Sequence, residues 1–375
     1  MTNDRNISVP YVDIAGQHAG IKTEIMQAVE RVIDHGLFVL GPEVAEFEAR
    51  FAQLCQTKFA VGVNSGTDAL ILGLRALDIG PGDEVITVPN SFVASTSCVE
   101  LVGAKPVFVD VGSDYNIDPS LIEAAITSRT KAILPVHLTG RPAAMDAILE
   151  IAQPRGLYVI EDAAQSVFAN LHGQPVGSFG DVGCFSCHPL KTLNACGDAG
   201  VITTSNPNIH RRLTELRNIG LRTRDESVVW AGNSRLDTIQ AAILLVKLRY
   251  IEEWTANRRA NAAFYREQLG KIEGPAFKLP IGEEQENAVY HTFVIRAQMR
   301  DQLREFLAAR AVATAVHYPI PIHLQPVAID LGYKPGDFPE TEAQANEILS
   351  LPIYPELTTE QLQHVASTVL EFFTR

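Results

Sequence analysis

Between residue 20 and about residue 245, short apolar runs alternate with amphipathic stretches, and no Pro/Ser-rich linker or low-complexity segment interrupts them. Strands that are apolar throughout need cover on both faces, and the amphipathic segments between them supply it. The rhythm therefore constrains the chain to an α/β fold with a mostly parallel sheet. The strand candidates are residues 84–88, 105–109, 132–136, 158–160, 183–186 and 200–203. Helices fit between them at 67–77, directly after Asn64-Ser65-Gly66, and at 93–101, 119–125 and 144–153.

After Asn233 the pattern changes. Residues 237–269 read as one long, mostly amphipathic helical run that passes through Trp254 without Gly or Pro and links two domains. The expected organisation is a large α/β domain over residues 1–245 and a smaller α+β domain over 246–375. In the latter, 290–296 is a strand and 299–311 and 359–373 are helices. A chain of 375 residues is long enough for two such units at about 150 residues each. No repeat at solenoid periods interrupts the reading.

Charge narrows the partners. Lys and Arg number 31 against 44 Asp and Glu, a net charge of −13, so the surrounding field repels nucleic acid and anionic membrane surfaces. A small anion remains compatible, because arginine and backbone N–H groups can bind phosphate locally. The first ten residues hold no apolar signal-peptide core, and no run reaches the length of a membrane span, so a soluble cytoplasmic protein is expected. Five cysteines, an odd number, fit a reducing compartment.

Several segments can carry chemistry. Asn64-Ser65-Gly66-Thr67-Asp68 is a strand end and glycine turn that opens into an apolar helix, where free N–H groups and the helix dipole can hold phosphate. Such residues also serve as ordinary caps. Leu157-Tyr158-Val159-Ile160-Glu161-Asp162-Ala163-Ala164-Gln165 delivers carboxylates to the C-terminal end of a strand, the end that faces the ligand crevice in open α/β sheets. One of them can keep a pyridinium nitrogen protonated; a helix cap followed by surface charge is the plainer alternative.

Ser186 ends another strand, a Pro-containing turn follows, and Lys191 lies in a loop before a Gly-rich return. A lone lysine is usually solvated, but one framed by tight turns can be desolvated against a carbonyl carbon, form a Schiff base and later shuttle protons. Cys184 and Cys187 are three apart on a strand, so their side chains face opposite ways, and no second pair or spaced His completes a metal set. Asn233-Ser234-Arg235 precedes the long helical run, where Asn and Arg can reach phosphates, and His317-Tyr318-Pro319 can place an imidazole and a phenol in a cleft.

Taken in order, these segments resemble the DegT/DnrJ family of nucleotide-sugar aminotransferases, which use pyridoxal 5′-phosphate (PLP) and have fold type I. The resemblance starts at Val12-Asp13-Ile14 and Gly36-Leu37-Phe38-Val39-Leu40-Gly41-Pro42, and extends past His317-Tyr318-Pro319. It implies that Lys191 carries the covalent link to the cofactor and is the general acid/base. It further implies that Asp162 pairs with the pyridinium nitrogen and Gln165 bonds the cofactor's hydroxyl oxygen. Gly66, Thr67 and Ser186 resemble the phosphate cup, and Phe92 the stacking ring. Asn233 matches a residue that reaches the neighbouring subunit's cofactor, so the resemblance implies a homodimer with shared active sites. Arg235, His317 and Tyr318 resemble groups that bind the nucleotide-sugar substrate. No metal is implied.

The reaction implied is ping-pong transfer of nitrogen from an amino acid, glutamate in most relatives, to a keto-sugar. Leu193-Asn194-Ala195-Cys196-Gly197-Asp198-Ala199-Gly200 and Asn233-Ser234-Arg235-Leu236-Asp237 look more like members acting at carbon 3 than at carbon 4, so a dTDP- or UDP-linked 3-keto sugar is expected. A cyclitol ketone is another acceptor class. Relatives that dehydrate sugars carry His where this chain has Lys191, and a non-catalytic binding or regulatory protein is expected to lack the lysine or the carboxylate.

Overall fold

The computed structural model describes residues 7–281 and 286–374. Its large sheet has seven strands in the order Phe59–Val63, Gly200–Thr204, Val182–Ser186, Tyr158–Asp162, Thr130–Ile133, Glu84–Thr87 and Lys105–Phe108. The last five pair in parallel, while Gly200–Thr204 runs antiparallel to both of its neighbours. Strand Phe59–Val63, absent from the sequence reading, pairs along that reversed strand. All six expected strands and all four expected helices are present, with ends shifted by a few residues.

Burial explains the apolar runs. Val63, Leu70, Leu74, Ile86, Ile133 and Ile160 belong to one cluster between the sheet and its helices, each 2% exposed or less. A second cluster, containing Phe47, Phe51, Phe185 and Leu244, is built around helices Pro42–Leu54 and Thr238–Leu248. Cys184 lies in the first cluster and Cys187 in the second, as alternation along a strand requires.

The run 237–269 is not one helix. It breaks into Thr238–Leu248 and Ile251–Leu269 at Arg249 and Tyr250. No Gly or Pro marks the break, because tertiary contacts set it. The Tyr250 hydroxyl donates to Glu24 Oε1 at 2.5 Å, Arg249 pairs with the same carboxylate, and the Tyr250 ring stacks on Trp254. Downstream, strands Phe277–Lys278, Phe293–Ala297 and Ile348–Leu351 form an antiparallel sheet backed by helices Arg300–Ala308 and Thr359–Thr374. The expected strand at 290 starts later because Tyr290 takes a left-handed φ of 48°, and the expected helix ends early, before Ala311 at φ 58°. Val9 crosses over to bridge Val312 and packs in a further cluster with Phe293, Leu303 and Val365.

Candidate active site

The parallel strands end on one edge of the sheet, and a cavity of about 430 Å³ opens there. Its lining includes Gly66, Thr67, Phe92, Asp162, Gln165, Ser186, Lys191, His317 and Tyr318, nine residues that the sequence singled out separately.

One wall is the N-terminus of helix Gly66–Ala76. Ser65 caps it, its hydroxyl accepting from the Asp68 N–H at 3.0 Å, which leaves the N–H groups of Gly66 and Thr67 without an intrahelical partner. The approach is too close for side chains. A Cβ on Gly66 would lie 2.6 Å from Ser186 Cβ, and one on Gly200 would lie 2.2 Å from the Ser65 carbonyl oxygen. Two glycines thus let a strand end, a helix start and the Ser186 hydroxyl converge on a cradle for a phosphate.

Strand Tyr158–Asp162 ends in two carboxylates that alternation sends apart. Glu161 accepts from the backbone N–H groups of Gly177, Phe179 and Gly180 and from His137 Nε2, so it fastens a turn. Asp162 faces the cavity. Its Oδ2 accepts from the Ser95 hydroxyl at 2.6 Å and its Oδ1 from the Ala164 N–H at 3.1 Å. Burial raises its pKa, and these bonds and the charges of Lys191 and His137 only partly offset that. A buried carboxylate in this state favours a cation beside it.

Lys191 lies across from that carboxylate's field, half-buried on its loop. Burial lowers its amine from the ordinary 10.5 to about 8, with Asp162 pulling the other way. The loop is held from behind: Asn194 Nδ2 donates to the Lys191 carbonyl at 3.1 Å and to Gln17 Oε1 at 2.9 Å. Asn194 Oδ1 in turn accepts from Lys247, a fully buried lysine that also bonds His18 Nε2 at 2.7 Å. Gln165 Oε1 accepts from the Thr139 N–H at 2.8 Å, which fixes the amide and leaves its NH₂ as the free donor.

At the mouth, the exposed ring of Phe92 stands 5.7 Å from that of Tyr318. His317 Nδ1 is 2.9 Å from Ser350 Oγ, and its imidazole is pushed down to about 4 by burial and then by the Lys191 charge, so it is neutral near pH 7. Asn233 and Arg235 do not join this cavity. Asn233 is exposed and bridges Asn218, whose side-chain oxygen accepts from Arg235 Nη1 at 3.0 Å. The sequence reading missed Ser95, Arg258, His291, Thr292 and Tyr11 in the lining, and Lys247 behind it. Only Lys247 had a signal, a single charge within the apolar helix Thr238–Leu248.

A buried carboxylate short of a cation, an amine that readily sheds its proton and a phosphate cradle suit a group that is basic at one end, carries a carbonyl and ends in phosphate. PLP has those features, and the chain is accordingly a PLP-dependent transferase of fold type I. Comparison with known proteins gives the family. The chain belongs to the DegT/DnrJ/EryC1/StrS aminotransferase family, whose profile matches residues 19–370. It is 43% identical over 368 residues to the dTDP-3-amino-3,4,6-trideoxy-alpha-D-glucose transaminase of Streptomyces venezuelae, covering 98% of this chain and 97% of that protein. It is 42% identical over 366 residues to the UDP-N-acetyl-3-dehydro-alpha-D-glucosamine 3-aminotransferase of Acidithiobacillus ferrooxidans, covering 97% and 98%. The crystal structure of S. venezuelae DesV in complex with a ketimine intermediate superposes with a TM-score of 0.96 at 43% identity, covering 98% of this chain and 99% of that one.

Proposed function

We propose that this aminotransferase moves nitrogen from an amino acid, L-glutamate, to carbon 3 of a keto-sugar linked to dTDP or UDP. The convergence of Lys191 and Asp162 on one cavity carries the catalytic part of this reading, and the transaminases of nucleotide-linked 3-amino sugars among the relatives support the acceptor.

When bound, PLP supplies an electron sink for the carbanion formed beside the amino group. The residues do the rest. Asp162 holds the positive charge on the ring nitrogen, with Ser95 keeping the carboxylate in place. Gln165 donates to the ring's hydroxyl oxygen, and Ser186 with the N–H groups of Gly66 and Thr67 holds the phosphate. Phe92 stacks on the ring. Lys191, with its depressed pKa, takes a proton from one carbon and returns it to another. His317 and Tyr318 contact the sugar.

A second copy of the chain completes the site in this reading. Asn233 reaches the partner's cofactor phosphate and Arg235 the nucleotide. The exposed apolar run of residues 37–40, and Trp230 at 93% exposure, supply a surface for that copy to cover. Among the described residues no helix is long and apolar enough to cross a membrane. The proposed location is the cytoplasm, where nucleotide sugars are made.

A non-catalytic binding role is disfavoured because the lysine and the carboxylate are both present and face one cavity. The test is incubation with ¹⁵N-labelled L-glutamate and a dTDP- or UDP-linked 3-keto hexose, with NMR of the product. Label bonded to carbon 3 is expected. Label at carbon 4, or an unlabelled sugar with both nucleotides, overturns the reading.

A further inference from the structure

The cavity wall contains a cation that the roles above do not use. Arg258 projects from helix Ile251–Leu269, lines the same cavity as Lys191 and is 4% exposed. Its Nη1 donates to the carbonyl oxygens of Ile353 at 2.7 Å and Tyr290 at 3.2 Å, while its Nε is buried without a partner. Among the described residues no carboxylate pairs with it. The acidic groups whose charges reach it, Glu356 and the Tyr11 phenol, form no hydrogen bond with it, and burial lowers it to about 10. His291 Nδ1 and Thr292 Oγ1, from the adjoining stretch of wall, are also buried and unpartnered. Burial, and after it the charges of Lys191 and Arg258, hold the His291 imidazole well below the usual histidine range.

Buried polar groups are nearly always satisfied, and an uncompensated buried cation is costly. A guanidinium with an unpartnered Nε, lining one cavity with an unpartnered hydroxyl and a catalytic amine, matches a planar two-oxygen anion. In the proposed reading the cofactor phosphate sits in the cradle at Gly66, Thr67 and Ser186 and the nucleotide at Arg235, so the anion still without a cation is the amino-acid donor.

We propose that Arg258, with Thr292 beside it, anchors a carboxylate of the amino-acid donor within the cavity that holds Lys191. The inference rests on the aminotransferase reading and adds to it the place where the donor sits. Because Arg258 also supports two backbone carbonyls, it is tested in two ways.

In the wild-type holoenzyme, loss of the cofactor's visible band is titrated with L-glutamate, with its α-amide and with its γ-amide. Bleaching by glutamate establishes the aminotransferase reading independently. The proposal predicts that one of the two amides needs about 10- to 150-fold more for half-bleaching, the range for losing a hydrogen bond to a charged group. Both amides acting within twofold of glutamate overturns it.

Then Arg258→Lys and Arg258→Gln holoenzymes are compared with wild type in binding glutarate, which has no amino group to transfer, and dTDP. Glutarate affinity falls by at least tenfold in Arg258→Gln and less in Arg258→Lys, with dTDP affinity, cofactor content and melting temperature preserved in Arg258→Lys. Unchanged glutarate binding overturns the proposal. So does a parallel fall in dTDP binding, which assigns Arg258 to the nucleotide, or a fall in cofactor content and stability that accounts for the glutarate loss.

Discussion

In cofactor-free protein, the reactivity of Lys191 should titrate far below that of a surface lysine. Burial brings its amine from 10.5 to about 8, a difference of 2.5 that corresponds to about 3 kcal/mol. Near pH 7.5 roughly a quarter of the amine is then neutral, against about one part in a thousand for an unperturbed lysine. Pulse labelling with acetic anhydride at a series of pH values, followed by peptide mass spectrometry, reads the midpoint for each lysine separately. Lys191 should inflect near 8 and the exposed lysines above 10. Asp162 favours the charged amine, so Asp162→Asn should move the Lys191 midpoint lower still.

The same shift has a stability consequence of definite sign. Between about pH 8 and 10.5 the unfolded chain holds more protons at this residue than the folded one, so the cost of burying the charged amine is fully present below 8 and fades as pH rises. A Lys191 midpoint above 10 refutes burial as the cause, and one that rises in Asp162→Asn refutes the pull assigned to Asp162.

Three further substitutions test the scaffold. Ser95→Ala removes the 2.6 Å bond to Asp162, should weaken PLP binding about tenfold by equilibrium titration, and leaves the fold intact. Gly200→Ala puts a Cβ 2.2 Å from the Ser65 carbonyl; it should cost about 1–3 kcal/mol in urea unfolding and deplete the bound cofactor. Glu161→Gln places an NH₂ among three backbone donors and His137; a loss of about 3–5 kcal/mol is expected, whereas a change under 1 kcal/mol contradicts the fastening role.

The parallel half of the sheet was legible because its strands are apolar on both faces and end in residues with chemical meaning. Alternation also separates Asp162 from Glu161 once the strand is placed, since only one of two successive side chains can face the crevice. Strand direction was not legible: Gly200–Thr204 is as apolar as its neighbours, and only the short Gly-rich return from Lys191 hints at its reversal. The break at Arg249 and Tyr250 depends on Glu24, more than two hundred residues away, and leaves no local mark. Ser95 and Arg258 are similarly ordinary on their own helices and gain meaning only from what they face. Asn233 and Arg235 lie outside the single-chain cavity, and the roles proposed for them require a second copy.

The most direct test of the central claim is the visible absorbance of the purified holoenzyme before and after L-glutamate, beside a Lys191→Ala variant. A long-wavelength band that disappears with glutamate in the wild type, and is missing or unlinked in the variant, is the predicted result. A wild-type protein that shows no such band even with added PLP, or a variant whose band still responds to glutamate, contradicts the assignment of Lys191 and Asp162 as the catalytic centre.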